Sequence, residues 1–280
     1  MTDHPVAATF AAPRALAALR DGRGGVVELV FSRGMYVRFG ADWVGLADPG
    51  AEFGPLSVAV RGLPDLLSGT VAGAPARVAG RRLILGGGAV SLERVRERRC
   101  GAVVRSMPLG GPAACIAAGR AALVTLGEPP GRLRGGIEQL ASGVVASGVR
   151  ALAGFGDGLT PAGDDVLAGY AAWGGAADGR SGRVSELASG RSSPLGLAYL
   201  RAAEHGELPD AGAALMTALR GGTPQESAAA ARGLRSWGAS SGAALGWGLV
   251  AGTPAGFGAY SGDHRDPWRL RWRPCAGSPR

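Results

Sequence analysis

Short runs of alternating apolar and polar residues fill the chain from Val26 to Val60: Val26–Phe31, Met35–Phe39, Trp43–Leu46 and Leu56–Val60, parted by Gly, Asp and Pro. A period of two bounded by turn formers predicts half-buried strands. Further strands are predicted at Ala76–Ala79, Arg82–Leu85 and Ala89–Leu92, with turns at Gly80 and Gly86–Gly88. After Pro112 the spacing becomes helical, and helices are predicted over Ala113–Leu126, Gly136–Leu152, Pro161–Trp173, Pro194–His205, Asp210–Leu219, Pro224–Arg235 and Ser241–Ala251. The Gly-rich residues after Trp173 read as a loop. Strands first and helices afterwards predict an α+β fold, with an N-terminal antiparallel β-rich domain and then a mainly α-helical domain. The expected boundaries are an N-terminal segment at 1–25, a β-rich domain at 26–110, a helical domain at 111–252 and an aperiodic Arg/Trp/Pro-rich tail at 253–280, read as disordered.

Composition narrows the chemistry. The 280 residues have room for one large domain or two small ones, and 46% hydrophobic content with mean hydropathy +0.12 suits a folded, soluble chain. All 30 cationic side chains are Arg, and neither Lys nor Asn occurs. Chemistry that depends on a Schiff-base, P-loop or kinase lysine is thereby excluded. The net charge of +8 and pI near 10.5 point to anionic substrates or partners. Eight arginines lie between Arg77 and Arg105, and five more follow from Arg265 among Trp268 and Trp272. Nucleic-acid binding through that tail ranks last among the readings, because no nucleic-acid module accompanies the charge. Cys100, Cys115 and Cys275 lack metal-ligand spacing, and His4, His205 and His264 form no triad pattern with Ser and Asp. No run is apolar enough to span a membrane, and His4, Pro5, Pro13 and Arg14 interrupt any signal-like segment, so a cytoplasmic location is expected.

The densest chemistry lies in Gly154-Phe-Gly-Asp-Gly-Leu-Thr-Pro-Ala-Gly-Asp-Asp165. Its glycines permit positive φ and close backbone approach, and Thr160-Pro161 reads as a helix N-cap followed by the first helical residue. Such a loop feeding a helix start is a seat for phosphate or carboxylate. A dinucleotide fingerprint is not met, since no strand precedes the loop and no acidic residue closes a second strand. Asp164 and Asp165 point about 100° apart on a helix, so one is free to face a pocket while the other caps or orients. Either can position an amide, accept a proton or share Mg²⁺ with phosphate, and Asp157 is a further candidate. Ser192-Ser193 with neighbouring Arg191, and Ser240-Ser241-Gly242, mark two more helix starts that can converge on the same anion.

The twelve-residue stretch resembles the G-x-G-x-G-L-T-P-S-G-D-D signature of a family long classified as a domain of unknown function, DUF2877, which includes the AllH-like subunit of oxamate carbamoyltransferase in anaerobic allantoin breakdown. The resemblance extends to Val27–Val60, Ser192–Gly206 and Gly238-Ala-Ser-Ser-Gly242. Ala162 stands where the family usually has Ser, Asp157 where Pro or a small residue is common, and Ala239 where a His often precedes the serines. The resemblance implies carbamoyl transfer between carbamoyl phosphate and an amide such as oxamate, in company with two other kinds of subunit. The residue reading and the resemblance together give a candidate site of Gly156, Asp157, Gly158, Leu159, Thr160, Pro161, Gly163, Asp164, Asp165, Arg191, Ser192, Ser193, Ser240, Ser241 and Gly242. Within it, Asp164, Asp165 and Thr160 carry the chemistry, Asp164 orienting or deprotonating the nitrogen. A non-catalytic metabolite-binding subunit, or a recruited biosynthetic enzyme acting on another small carboxylate, are the alternatives. A homo-oligomer is compatible with either.

Overall fold

The computed structural model describes residues 6–20, 24–101, 110–174, 182–238 and 240–253. The chain divides into two compact units, one ending at Cys100 and the other beginning at Gly101. The Arg/Trp-rich tail from residue 254 onward, Ala239, His4, His264 and Cys275 lie outside the described residues.

The first unit is a barrel. Its strands are β1 (Val6–Ala11), β2 (Gly24–Phe31), β3 (Gly34–Phe39), β4 (Asp42–Ala47), β5 (Ser57–Arg61), β6 (Pro75–Ala79), β7 (Arg82–Leu85), β8 (Gly88–Ser91) and β9 (Arg96–Glu97). Helix α1 (Pro13–Arg20) follows β1, and helix α2 (Leu63–Ser68) follows β5. Eight strands run in the order β5-β4-β3-β2-β6-β7-β8-β1 and close through a β5–β1 pairing, with β9 attached to β1. The sheet is mixed, which corrects the antiparallel expectation: β4–β5, β1–β8 and β1–β9 are parallel pairs. Closure explains the difference, because β1 runs antiparallel to β5 and parallel to β8, sealing a sheet whose edges would otherwise be exposed. Residues 6–20 therefore belong to the barrel. Their strand is short and Ala-rich, so its alternation is weak in the sequence.

Met35, Val37 and Phe39 of β3 face inward with Val27, Val58 and Val60, all at 0% exposure. Leu16 and Leu19 of α1 join the same core, each buried side chain contributing about 1.5–3 kcal/mol. The basic stretch lies on exposed positions of this unit, Arg77, Arg81, Arg82, Arg94, Arg96, Arg98 and Arg99 among them. Arg96 covers the ring of Phe10 and Arg98 that of Phe53.

The second unit is helical: α3 (Pro112–Leu126), α4 (Gly131–Ala141), α5 (Val145–Leu152), α6 (Ala162–Gly174), α7 (Gly182–Ala188), α8 (Pro194–Glu204), α9 (Asp210–Gly221), α10 (Pro224–Arg235) and α11 (Ser241–Ala251). The single helix expected over Gly136–Leu152 is two. Gly143 at φ 81 turns the chain between them, and the Ser142 hydroxyl turns back to the carbonyls of Glu138 and Gln139. Helix α7 lies in the stretch read as loop. Buried Glu204 of α8 holds it by accepting from the Ser185 N–H and hydroxyl, a tertiary contact that local pattern does not reveal.

Helix α11 is apolar on every side and buried from Ala244 to Ala251, as suits a central helix. It packs against α6 with backbone nearly touching backbone. A methyl at Gly169 would meet the Leu245 carbonyl, and one at Gly248 would meet that of Val166. The Trp173 indole N–H donates to the Leu249 carbonyl at 2.7 Å. Asp165 bonds Ser241, Gly169 meets Leu245 and Trp173 meets Leu249 at one constant sequence offset. The two helices therefore run in the same direction, with their N-termini side by side.

Candidate functional site

The site grows from the turn between α5 and α6. Gly154, at φ 71, donates its N–H to Asp164 Oδ1 at 2.7 Å, and a methyl there would run into the Arg191 carbonyl. Only glycine satisfies both the backbone conformation and the approach. Gly158, at φ 89, has open space where a side chain would stand, so conformation alone calls for glycine there. Gly163 sits against the Leu152 carbonyl and sends its N–H back to Phe155 at 2.8 Å, which fixes the start of α6 on the end of α5.

Helix α6 begins at Ala162, and the Pro161 carbonyl accepts from both Asp164 and Asp165 N–H groups, at 2.8 and 3.2 Å. Pro161 therefore occupies the cap position assigned from sequence to Thr160, and the first helical residue is one later than read. The tightened first turn draws the boundary forward. Ahead of it, the N–H groups of Gly156, Asp157, Gly158, Leu159, Thr160 and Ala162 make no hydrogen bond to other described residues. Gly156, Asp157 and Gly158 are exposed.

The adjacent carboxylates face different helix starts. Asp164, 1% exposed, accepts from the Ser192 hydroxyl at 2.7 Å and the Ser193 N–H at 3.0 Å in addition to Gly154. Ser193 in turn caps α8, accepting from the Gly196 N–H at 2.9 Å while donating to the Leu159 carbonyl. Asp164 thus ties the glycine loop to the start of α8. Oδ1 accepts two of these bonds and Oδ2 one, so a substrate nitrogen, the partner read for it from the sequence, would share the carboxylate with them. Gly196, absent from the sequence-based site, matters here because a methyl at that position would meet Asp164. Its only sequence signal is its place two residues after a capped Pro194.

Asp165 is 5% exposed, and its Oδ2 is buried with no hydrogen-bond partner among the described residues. Burial pushes its carboxyl well above the usual carboxylate range; a hydrogen bond from Ser241 works against this, and the Asp164 charge adds to it. Ser240 stands at the cap position of α11, the helix start expected there, without a side-chain capping bond. Gly242 is buried where a methyl would meet the Leu234 carbonyl. Arg191 is exposed and donates to the Arg150 carbonyl at 3.4 Å. For Mg²⁺ the residues fit poorly: Asp164 accepts from three donors, burial disfavours charge on Asp165, and no group of three His, Cys, Asp or Glu suited to a metal occurs among the described residues.

The arrangement offers a row of backbone donors, a buried acid beside a hydroxyl, and a second carboxylate that locks the frame. The family model described as oxamate carbamoyltransferase subunit AllH matches residues 152–253, from the end of α5 through α11. The match supports an AllH-like family assignment. No curated protein and no solved structure matches the chain. No described helix is long and apolar enough to cross a membrane.

Proposed function

We propose that this chain, AllH-like over residues 152–253, is a subunit of a carbamoyltransferase that acts on a small amide-carboxylate of the oxamate kind, with carbamoyl phosphate as donor and partner subunits completing the enzyme. One observation carries the reading: the family match coincides with a glycine loop at the start of α6, where six N–H groups make no hydrogen bond to other described residues. Backbone donors fixed in this way suit an oxyanion.

In the proposed reaction the amide nitrogen attacks the carbonyl carbon of carbamoyl phosphate. The new C–N bond forms, the C–O bond to phosphate breaks, the phosphate leaves with the bonding pair, and the proton lost by the nitrogen passes to the departing phosphate. Gly156, Asp157, Gly158, Leu159 and Thr160 present the donors that hold negative charge on substrate oxygen. Arg191 adds positive charge at the rim. Asp164, through Ser192 and Ser193, is a positioning residue, and Asp165 with Ser241 is the group that faces the substrate. Serine hydroxyls and a neutral acid suit the polar, uncharged end of an amide as well as an oxyanion.

Thermal unfolding of the whole chain with carbamoyl phosphate, oxamate and other small carboxylates, with and without Mg²⁺, tests the reading. A ligand at about one hundred times its Kd should stabilise the fold by about 2.7 kcal/mol. The expected result is a rise in Tm with oxamate or carbamoyl phosphate that does not require Mg²⁺. Lack of a shift with any anion overturns the site.

A further inference from the structure

The start of α6 carries a second feature besides those N–H groups, namely a carboxyl oxygen that is buried and without a partner among the described residues. We propose that the Asp165 carboxyl and the Ser241 hydroxyl form a proton-dependent recognition point for an oxyanion at the paired N-termini of α6 and α11, with the acid acting as hydrogen-bond donor. The inference rests on the reading above for the location of the ligand. Its chemistry comes from the geometry of Asp165.

A buried polar atom without a partner is destabilising, so it is a position where a ligand group gains more than it would at a satisfied one. Two parallel helix starts add the same sign of potential at one end. An ionised Asp165 would cancel that potential and repel an oxyanion, whereas the neutral acid adds a donor to it. Asp164 cannot serve in its place, since its carboxylate already accepts from Gly154, Ser192 and Ser193.

The surroundings favour the neutral form. On α6 itself the charge of neighbouring Asp164 opposes the ionisation of Asp165. Helix α11 contributes the Ser241 hydroxyl and no titratable side chain. Helix α5 carries only Arg150, which is exposed. Of the charged groups on α8, Arg201 is exposed and Glu204 is bound to Ser185. On α4, Arg134 pairs with Glu128 at 2.8 Å, and Arg132 and Glu138 are the remaining charges. Asp164 is the one charge among these that acts appreciably on Asp165.

An oxyanion at this point is either a carboxylate or a phosphate, and the two share the acceptor chemistry. Calorimetric titration of the full chain with oxamate, and separately with inorganic phosphate, distinguishes them across about pH 5 to about pH 9. The wild type should bind at least one of the two, with affinity falling up to about tenfold per pH unit as pH rises through the raised Asp165 value, where binding should take up more protons than it does in Asp165→Asn. Two buffers of different ionisation enthalpy read the proton directly. Asp165→Asn keeps a donor that cannot ionise, so its affinity for oxamate, whose carboxylate stays ionised throughout, should be flat with pH, and its affinity for either anion should exceed the wild type's at the alkaline end. Tighter binding of oxamate assigns the point to the substrate carboxylate, and tighter binding of phosphate assigns it to the donor. Proton uptake no greater than that of Asp165→Asn, a slope equally steep in Asp165→Asn, or no binding of either anion overturns the proposal. Proton-linked binding without carbamoyl transfer would instead leave this inference standing and remove the functional reading.

Discussion

Asp164 and Asp165 are neighbours with opposite physical situations. Asp164 is buried and accepts three hydrogen bonds; Asp165 is buried and has an oxygen with none among the described residues. Asp164→Ala strands the Gly154 and Ser193 N–H groups and the Ser192 hydroxyl, so it should lower stability by about 3 kcal/mol or more in urea unfolding. Asp165 behaves in the reverse manner. Its folded pKa is raised above the unfolded value, so the native state holds the proton more tightly than the unfolded state does. Stability from this group is therefore full below the unfolded carboxylate pKa, about 3.9, and is lost as pH rises through the raised folded value. In Asp165→Asn that decline should vanish, and Tm at neutral pH should equal or exceed the wild type's; a pH series of melts reads both. The sequence placed both residues in one motif and gave their angular separation. It did not distinguish their roles, because the donors to Asp164 come from residues 192 and 193 and the hydrogen bond to Asp165 from residue 241.

Among the elements, helices with capping or proline signals were legible to within a residue or two. Pro224–Arg235 is one, with Thr223 and Glu226 forming a reciprocal cap. Elements held by tertiary contact were not. β1 is recognisable only once β5 and β8 flank it, and α7 only through Glu204. The α6–α11 contact supplies a sharp test, because helix propensity and packing oppose each other there. Alanine favours a helix over glycine by about 1 kcal/mol, yet a methyl at Gly248 would strike the Val166 carbonyl. Gly248→Ala should therefore destabilise by about 1–3 kcal/mol in chemical denaturation. Gly233→Ala, in α10 with nothing within 4 Å, should stabilise by up to about 1 kcal/mol. Equal effects of the two substitutions would contradict the close packing that brings the helix starts together.

At the scale of the molecule, each unit has its own apolar cluster, one built on the barrel and one on α6 and α11. A fragment of residues 101–280 should accordingly unfold cooperatively and show helical circular dichroism; a non-cooperative fragment would contradict an independent core. The family match lies within this helical unit, and so do all the proposed site residues. Fold class was readable from the change of hydrophobic period near Pro112, whereas barrel closure depends on long-range pairing that no local period encodes. The central claim is tested most directly by oxamate-dependent release of inorganic phosphate from carbamoyl phosphate, measured on the chain assembled with its partner subunits. Release that requires oxamate, and that falls by about a hundredfold or more in Asp165→Ala while assembly is retained, is the predicted result. Undiminished release by that variant, or no oxamate-dependent release by the wild-type assembly, would contradict it.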